Sequence, residues 1–165
     1  MDNLPWKKIY NLTRLISIDS YSRMFQYKCL NNILYLNCTL FKIGLSDTPL
    51  CSFCQTDNET TSHLFFSCHV SEKVWSDLRN FLCPKLLIPP LDLQSAVIGF
   101  LELPDNNIFI NNILLMYKIT LYRNRANNTV TARNVLLNLI NREKLKNLLP
   151  QVTIKLIFIF KNGIF

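Results

Sequence analysis

Residues 51–68 read CSFCQTDNETTSHLFFSC, and they hold three of the chain's six cysteines and one of its two histidines. Written as spacing, the candidate ligands are Cys51-x2-Cys54-x8-His63-x4-Cys68. A C-x2-C turn lets two thiolates reach one ion, and a histidine and cysteine on a short following helix can complete a tetrahedron. Soft sulfur with one imidazole favours zinc over magnesium or calcium. The motif predicts a zinc site with Cys51, Cys54, His63 and Cys68 as ligands.

Two other interpretations of this stretch are half of a disulfide framework and a run of small buried residues. The first residues, MDNLPWKKIYNL, contain no apolar core of the length that a signal peptide needs. This predicts an intracellular protein, in the nucleus or cytoplasm. In such a reducing compartment, clustered thiols more often bind metal than form disulfides.

The other histidine and cysteines fit the site less well. His69 directly follows Cys68 and would need a strained backbone to share the ion, and Cys83 lies a helix away. Cys29 and Cys38 fall within predicted helices, where we expect buried thiols. Four protein ligands leave no position for water, so the sequence predicts one structural Zn²⁺ whose loss unfolds at least residues 45–82.

The composition predicts an all-α fold, a helical domain with a small CCHC zinc knuckle inserted between helices. Apolar residues make up 49% of the 165 positions, which suffices for a sizeable core, and three glycines argue against a turn-rich β-fold. No stretch reaches the roughly 18–20 apolar residues of a membrane span. We expect N-terminal helices plus the zinc module in 1–82, a C-terminal helical segment in 83–150, and a poorly docked or spurious tail in 151–165.

Apolar spacing and capping residues place the individual helices. The second helix follows a cap at Asp19 or Ser20 and breaks at Asn31-Asn32, the third begins at Ile33 and ends at Gly44, and Thr131 caps the last. Apolar residues at helical spacing are expected in the core: Trp6, Phe25, Trp75 and residues 64–66.

The formal net charge is +7, from 18 Lys and Arg against 11 Asp and Glu. This surplus suits a polyanionic partner, but it also serves solubility. If the last two helices pack antiparallel, their basic residues can form a phosphate-binding patch, with Tyr117 and Tyr122 as stacking platforms. The candidates for nucleic-acid contact are Lys118, Arg123, Arg125, Arg133, Arg142 and Lys144.

The competing interpretation treats these basic residues as ordinary solvated helix faces and the tyrosines as core. Phe53 in the knuckle has the same two interpretations. It either stacks on a base or packs against Phe65 and covers the zinc.

Residues 5–82 resemble the zinc-binding region that follows the reverse transcriptase in the second open reading frame of LINE-type, non-LTR retrotransposons. The likeness lies in PWKKIYNL, MFQYKCLNNILYLN, LFKIGLSDTPLCSFC and ETTSHLFFSCHVSEKVW, with the Cys-Cys-His-Cys order, Glu59-Thr60 and Trp75. Further on, NNILLMYKITLYRNR and a last helix with Glu143-Lys144 resemble the downstream helical part, and the likeness fades beyond Pro150.

The resemblance implies a helical segment with a structural zinc that holds template RNA or target DNA near the polymerase. The polymerase with its paired aspartates is not in this sequence, and Pro104-Asp105 is not followed by the acid and lysine of a restriction-like nuclease. We therefore expect a non-enzymatic, freestanding fragment with no small-molecule substrate and no membrane association. Its expected partners are RNA or DNA and a reverse transcriptase domain. The alternative is a protein-interaction or scaffold module without nucleic-acid binding, or a non-functional relic.

Overall fold

The computed structural model describes residues 4–17, 19–82, 89–102, 107–127 and 129–144, with the side chains of 107, 126 and 142–144 excluded. The α-helices are α1 (Trp6–Ile16), α2 (Ser20–Leu30), α3 (Asn37–Lys42), α4 (His69–Leu82), α5 (Leu93–Ile98), α6 (Asn107–Asn124) and α7 (Ala132–Lys144). A π-helical turn spans His63–Ser67, and a 3₁₀ turn spans Arg125–Asn127.

The all-α prediction is confirmed, and the Cys/His cluster lies between helices as expected. Within the described ranges there is no β-sheet, and Leu50 and Asn58 form an isolated antiparallel bridge. Among the described helices, none combines the length and the apolar character that crossing a membrane would take.

Helix α6 is at the centre of the core because it is apolar on nearly every side. It packs against α1, α2 and α7. Tyr117 of α6 meets Trp75 of α4 with ring centroids 5.2 Å apart, and Tyr122 meets Phe25 of α2 at 5.5 Å. Segments on both sides of residues 83–88 therefore share one apolar cluster. The division into 1–82 and 83–150 stays a prediction, and residues 151–165 lie outside the described ranges.

Several predicted helix ends are confirmed by their capping contacts. Asp19 Oδ1 accepts a hydrogen bond from Ser22 N at 2.8 Å at the start of α2, and Thr131 Oγ1 accepts from Asn134 N at 3.3 Å at the start of α7. Gly44 follows α3 with φ of 73°, the left-handed conformation in which glycine has no steric cost.

The third helix was predicted to begin at Ile33, and this is wrong. It begins at Asn37, because Asn32 turns left-handed (φ 54°), residues 33–36 form no helical turn, and Leu36 at the N-cap is extended. In this segment Leu34 and Leu36 are buried, whereas Ile33 and Tyr35 are exposed, an alternation that a helix would not give. The first amide of the helix, Asn37 N, donates to Glu59 Oε1 at 3.0 Å.

The core prediction holds for Phe25, Trp75, Leu64 and Phe65, whereas Phe66 is only half-buried, and the prediction is wrong for Trp6. Trp6 is 41% exposed and packs its ring against Tyr10 at 5.9 Å. It lies in the first turn of α1, at the edge of the buried stripe of Ile9, Leu12 and Ile16. Helical spacing predicted that Trp6 belongs to the helix, but it did not predict whether the side chain lies inside the apolar stripe or at its edge.

Lys118 of α6 is a buried cation. Its Nζ donates to Gln26 Oε1 at 2.7 Å and to the Val97 carbonyl at 3.0 Å, so it joins α2, α5 and α6. Both acceptors are neutral, so little compensates the ammonium for its lost hydration. Desolvation lowers the pKa of Lys118 from 10.5 to about 8, opposed by the nearby Cys29.

This buried lysine makes stability depend on pH. Because its pKa is lower in the folded chain, the unfolded chain binds more protons between pH 8 and 10.5, so the free energy of unfolding rises through that window. We expect the contribution of Lys118 to the free energy of unfolding to rise by about 2 kcal/mol from pH 7.5 to pH 9.5, taken as the difference between the wild-type chain and Lys118→Met. Urea unfolding at both values measures it. Lys118→Met should lose this gain and exposed Lys42→Met should keep it; equal gains in the two variants would contradict the assignment.

Candidate metal centre

The C-x2-C segment forms a tight turn. Gln55 N donates to the Cys51 carbonyl at 2.9 Å, and Gln55 takes the left-handed conformation with φ of 58°. The turn is anchored behind Cys51, whose N–H donates to the Asp57 carbonyl at 2.7 Å, next to the Leu50–Asn58 bridge. These backbone contacts bring Cys51 and Cys54 to one side of the turn.

His63 and Cys68 lie at the start and immediately after the end of the π-helical turn. Cys68 N donates to the His63 carbonyl at 2.8 Å, the five-residue bond that defines this geometry. Thr60 Oγ1 caps the entry by accepting from His63 N at 3.1 Å. In an α-helix residues five apart point roughly 140° away from each other, so the wider turn is what lets both side chains meet one ion.

The four candidate ligand atoms lie within 4.8 Å of one another. Cys54 Sγ is 3.2 Å from His63 Nε2, and Cys51 Sγ is 3.9 Å from Cys68 Sγ. Ser67 Oγ lies 3.3 Å from His63 Nδ1, which leaves Nε2 directed toward the sulfurs. Three sulfurs and one imidazole nitrogen at these separations fit one structural zinc, with all four tetrahedral positions supplied by protein.

Two of the three thiols of the cluster, those of Cys54 and Cys68, are arranged to ionise. The pKa of Cys68 is lowered, first by the hydrogen bond from Cys51 and then by the amides of Ser71 and Val70 in the first turn of α4. Cys51 keeps the shared proton, so that hydrogen bond and burial raise its pKa. Burial opposes ionisation of Cys54, but hydrogen bonds led by Thr56 lower its pKa on balance. Thiolates are the form that binds zinc.

The rival ligands lie elsewhere. His69 is exposed in the first turn of α4. Cys29 is buried in α2, and burial raises its pKa to about 12, whereas Cys38 is half-buried in α3. Cys83 lies outside the described residues. Within the described part of the chain, Cys51, Cys54, His63 and Cys68 are the cluster that the fold brings together.

Glu59 connects the knuckle to the rest of the protein, a role that the sequence did not reveal. Its side chain is fully buried, Oε2 accepts from Ser52 N inside the knuckle at 2.8 Å, and Oε1 accepts from Asn37 N. Arg125, just after α6, pairs with Oε1 at 3.3 Å. One carboxylate thus joins α3, the knuckle and the end of α6. The signal for this role in the sequence was an acid beside the ligand loop. In the structure, the other acids of that region are exposed.

The predicted nucleic-acid residues take different positions. Lys118 is buried, so its ammonium cannot reach a phosphate from the surface. Arg123 is exposed over the Tyr21 ring, 4.4 Å from its centroid, whereas Arg125 lies over Tyr122 at 4.2 Å. Arg133 is exposed on α7. The side chains of Arg142 and Lys144 lie outside the description.

Two aromatic candidates follow the core interpretation. Tyr117 is fully buried, and its hydroxyl donates to the Phe65 and Ser71 carbonyls at 3.1 and 3.0 Å. Phe53 is also buried in the apolar cluster, so its ring is not presented to a base.

The fold and the cluster agree with a comparison against protein families. Residues 4–75 match the family described as zinc-binding in reverse transcriptase. The matched residues contain the whole cluster, together with α1, α2, α3 and the first half of α4. No significant match was found among curated proteins or among solved structures.

The comparison supports a zinc-binding module related to reverse transcriptases. The match covers a zinc-binding region and no catalytic polymerase domain. That the chain is not an enzyme stays a prediction. Origin in a LINE-type element stays a prediction.

We expect purified protein to carry one zinc per chain, and Cys54→Ser to lose it. A structural zinc of this kind contributes on the order of 10 kcal/mol, comparable to the stability of a whole domain. Chelation should therefore reduce the helical circular dichroism signal as well as the zinc content measured by mass spectrometry. Cys38→Ser, which changes a thiol outside the cluster, is the matched control. Full zinc content in Cys54→Ser would rule out this ligand set.

Glu59→Gln should destabilise the zinc-loaded protein by about 3 kcal/mol, because it leaves Arg125 without its buried partner. The replacement amide also directs N–H donors at groups that are themselves donors. Urea unfolding gives the difference. Asp77→Asn, an exposed acid of α4, is the control and should change stability by no more than about 0.5 kcal/mol. Similar losses of stability in both variants would show that the effect of Glu59→Gln comes from the change in net charge and not from the buried ion pair.

Proposed function

We propose that the protein is a zinc-stabilised accessory domain of a LINE-type reverse transcriptase that binds RNA or DNA without catalysing a reaction. The supporting observation is the family match over residues 4–75, which coincides with a cluster able to hold one zinc. In this proposal Cys51, Cys54, His63 and Cys68 are the ligands, and the domain acts beside the polymerase by holding template RNA or target DNA.

The chemistry of the cluster favours a binding role over catalysis. A tetrahedral zinc with four protein ligands has no open position at which water or substrate can be activated. The net charge of +7 favours a polyanion, and Arg123 and Arg133 are exposed on the helices that follow the zinc module. Phosphate contacts by such residues supply most of the affinity in non-specific nucleic-acid binding.

A salt titration tests this function. Zinc-loaded protein should bind labelled single-stranded RNA or DNA at micromolar concentration in low salt, with a log–log slope of about 0.7 per neutralised phosphate. Fluorescence anisotropy from low to physiological salt gives the slope. Chelated protein should bind more weakly because the fold around the knuckle is lost. Absence of binding by zinc-loaded protein at low salt would rule out the proposal.

A second candidate function is a scaffold that completes a larger reverse transcriptase through protein contacts. The observation that favours it is a mainly apolar cavity of about 620 Å³ between α1, the end of α2 and α5, lined in part by Trp6, Leu93 and Ile98. Exposed apolar patches of this kind mark interaction surfaces. If the chain fails to bind nucleic acid, and is soluble only when joined to a polymerase domain, the scaffold function replaces the first.

A further inference from the structure

An exposed surface beside α2 carries three aromatic rings, each with a cation over its face. Arg123 lies 4.4 Å from the Tyr21 ring centroid, Arg125 lies 4.2 Å from that of Tyr122, and Lys28 lies 5.5 Å from that of Tyr35. About two such pairs are expected in a whole chain of this length. We call Tyr21, Lys28, Tyr35, Tyr122, Arg123 and Arg125 the tyrosine–cation face.

The pairs form one continuous surface. Arg125 donates to the Tyr35 carbonyl at 2.5 Å, which joins the Tyr122 pair to the Tyr35 pair. Arg123 Nε donates to the Tyr21 hydroxyl at 3.3 Å, and Tyr122 is adjacent to Arg123 in α6. Because α2 places residues seven apart only roughly 20° from each other, Tyr21 and Lys28 lie along the same side of the helix, about 10 Å apart.

The outer parts of this face are open to solvent. Tyr21 is 46% exposed and Tyr35 is 55% exposed, although a cation lies over each ring. The nearest acid in sequence, Asp19, caps α2 and accepts hydrogen bonds from Ser22 with both carboxylate oxygens. The face therefore presents fixed aromatic rings among positive charges.

We propose that the tyrosine–cation face is a binding surface for single-stranded nucleic acid; this deepens, and rests on, the function proposed above. Tyr21 and Tyr35 stack with bases, and Arg123 and Lys28 contact the phosphates between them. Rings among cations suit a single strand because its bases are free to stack, whereas the bases of a duplex are stacked on each other.

Arg125 has a different part in this surface. Its charge is paired with the buried Glu59, which also accepts from Ser52 N in the zinc knuckle. Arg125 is therefore a positioning residue, which holds the Tyr122 ring and the Tyr35 backbone in place. The zinc module thus supports the tyrosine–cation face through Glu59 and Arg125.

Anisotropy titrations of the zinc-loaded full chain with a labelled ten-nucleotide oligo(U) test the face. Each of Tyr21→Ala and Tyr35→Ala should weaken binding at least roughly fivefold without changing the salt slope, because stacking contributes about 1–3 kcal/mol per base. Tyr21→Phe and Tyr35→Phe keep the ring and should keep the affinity. Tyr10→Ala, a similarly exposed tyrosine of α1, is the control.

The salt dependence of binding tests the proposed phosphate contacts of Lys28 and Arg123. Lys28→Gln combined with Arg123→Gln should lower the salt slope by about 1.4, from two phosphates at about 0.7 each, whereas Lys42→Gln should leave it unchanged. Oligo(dT) should bind like oligo(U), and a hairpin duplex of equal charge should bind more weakly.

The outcomes separate the two proposals. If the folded, zinc-loaded alanine variants bind like the wild-type chain, or if the duplex binds more tightly than the single strand, the face is not the binding surface while the proposed function stands. If the wild-type chain binds none of these ligands, both proposals fail. Circular dichroism and zinc content of each variant show whether a loss of binding reflects a loss of fold.

Discussion

The structure depends on four ligand atoms meeting at one point. Residues 51–62 contribute few apolar side chains to the core, so this segment lacks the burial that normally fixes a loop. Its conformation is instead determined by the C-x2-C turn, the bridge at Leu50–Asn58 and the π-helical turn at His63–Ser67. The two turns place two ligand atoms each and the bridge anchors the first turn, while a dication between the ligands would supply the attraction that holds thiolates close together.

The second constraint is the buried carboxylate of Glu59. A fully buried acid is tolerated only when donors surround it, and here two backbone amides and Arg125 do so. Taking the Glu59 carboxylate out of water costs free energy. Its hydrogen bonds and ion pair offset that cost only when α3, the knuckle and the end of α6 keep these positions. This contact explains why α3 begins at Asn37 and why Arg125 faces inward. The contacts of Glu59 also connect the ligand loop to residues that are distant in sequence.

Much of the fold could be predicted because local signals determine it. Helix ends are marked by Asp19, Thr131 and Gly44 through contacts within three or four residues. The sequence spacing of the four metal ligands likewise indicates that they can meet at one ion. The features that were not predicted depend on distant contacts. The start of α3 depends on Glu59, and the burial of Lys118 depends on Gln26 and Val97. The partly exposed position of Trp6 depends on the packing of α1. A single sequence does not show which distant residue satisfies a buried charge.

The same distinction applies to the charge of the protein. A net charge of +7 treats all cations alike, but the structure separates them by what they face. Lys118 is used inside the core, and Arg125 is neutralised by Glu59. Arg123 and Lys28 are held against aromatic rings at the surface, where the ring orders the cation without cancelling its charge. Affinity for a polyanion depends on charges of this last kind, because an ordered cation loses less conformational entropy when it meets a phosphate.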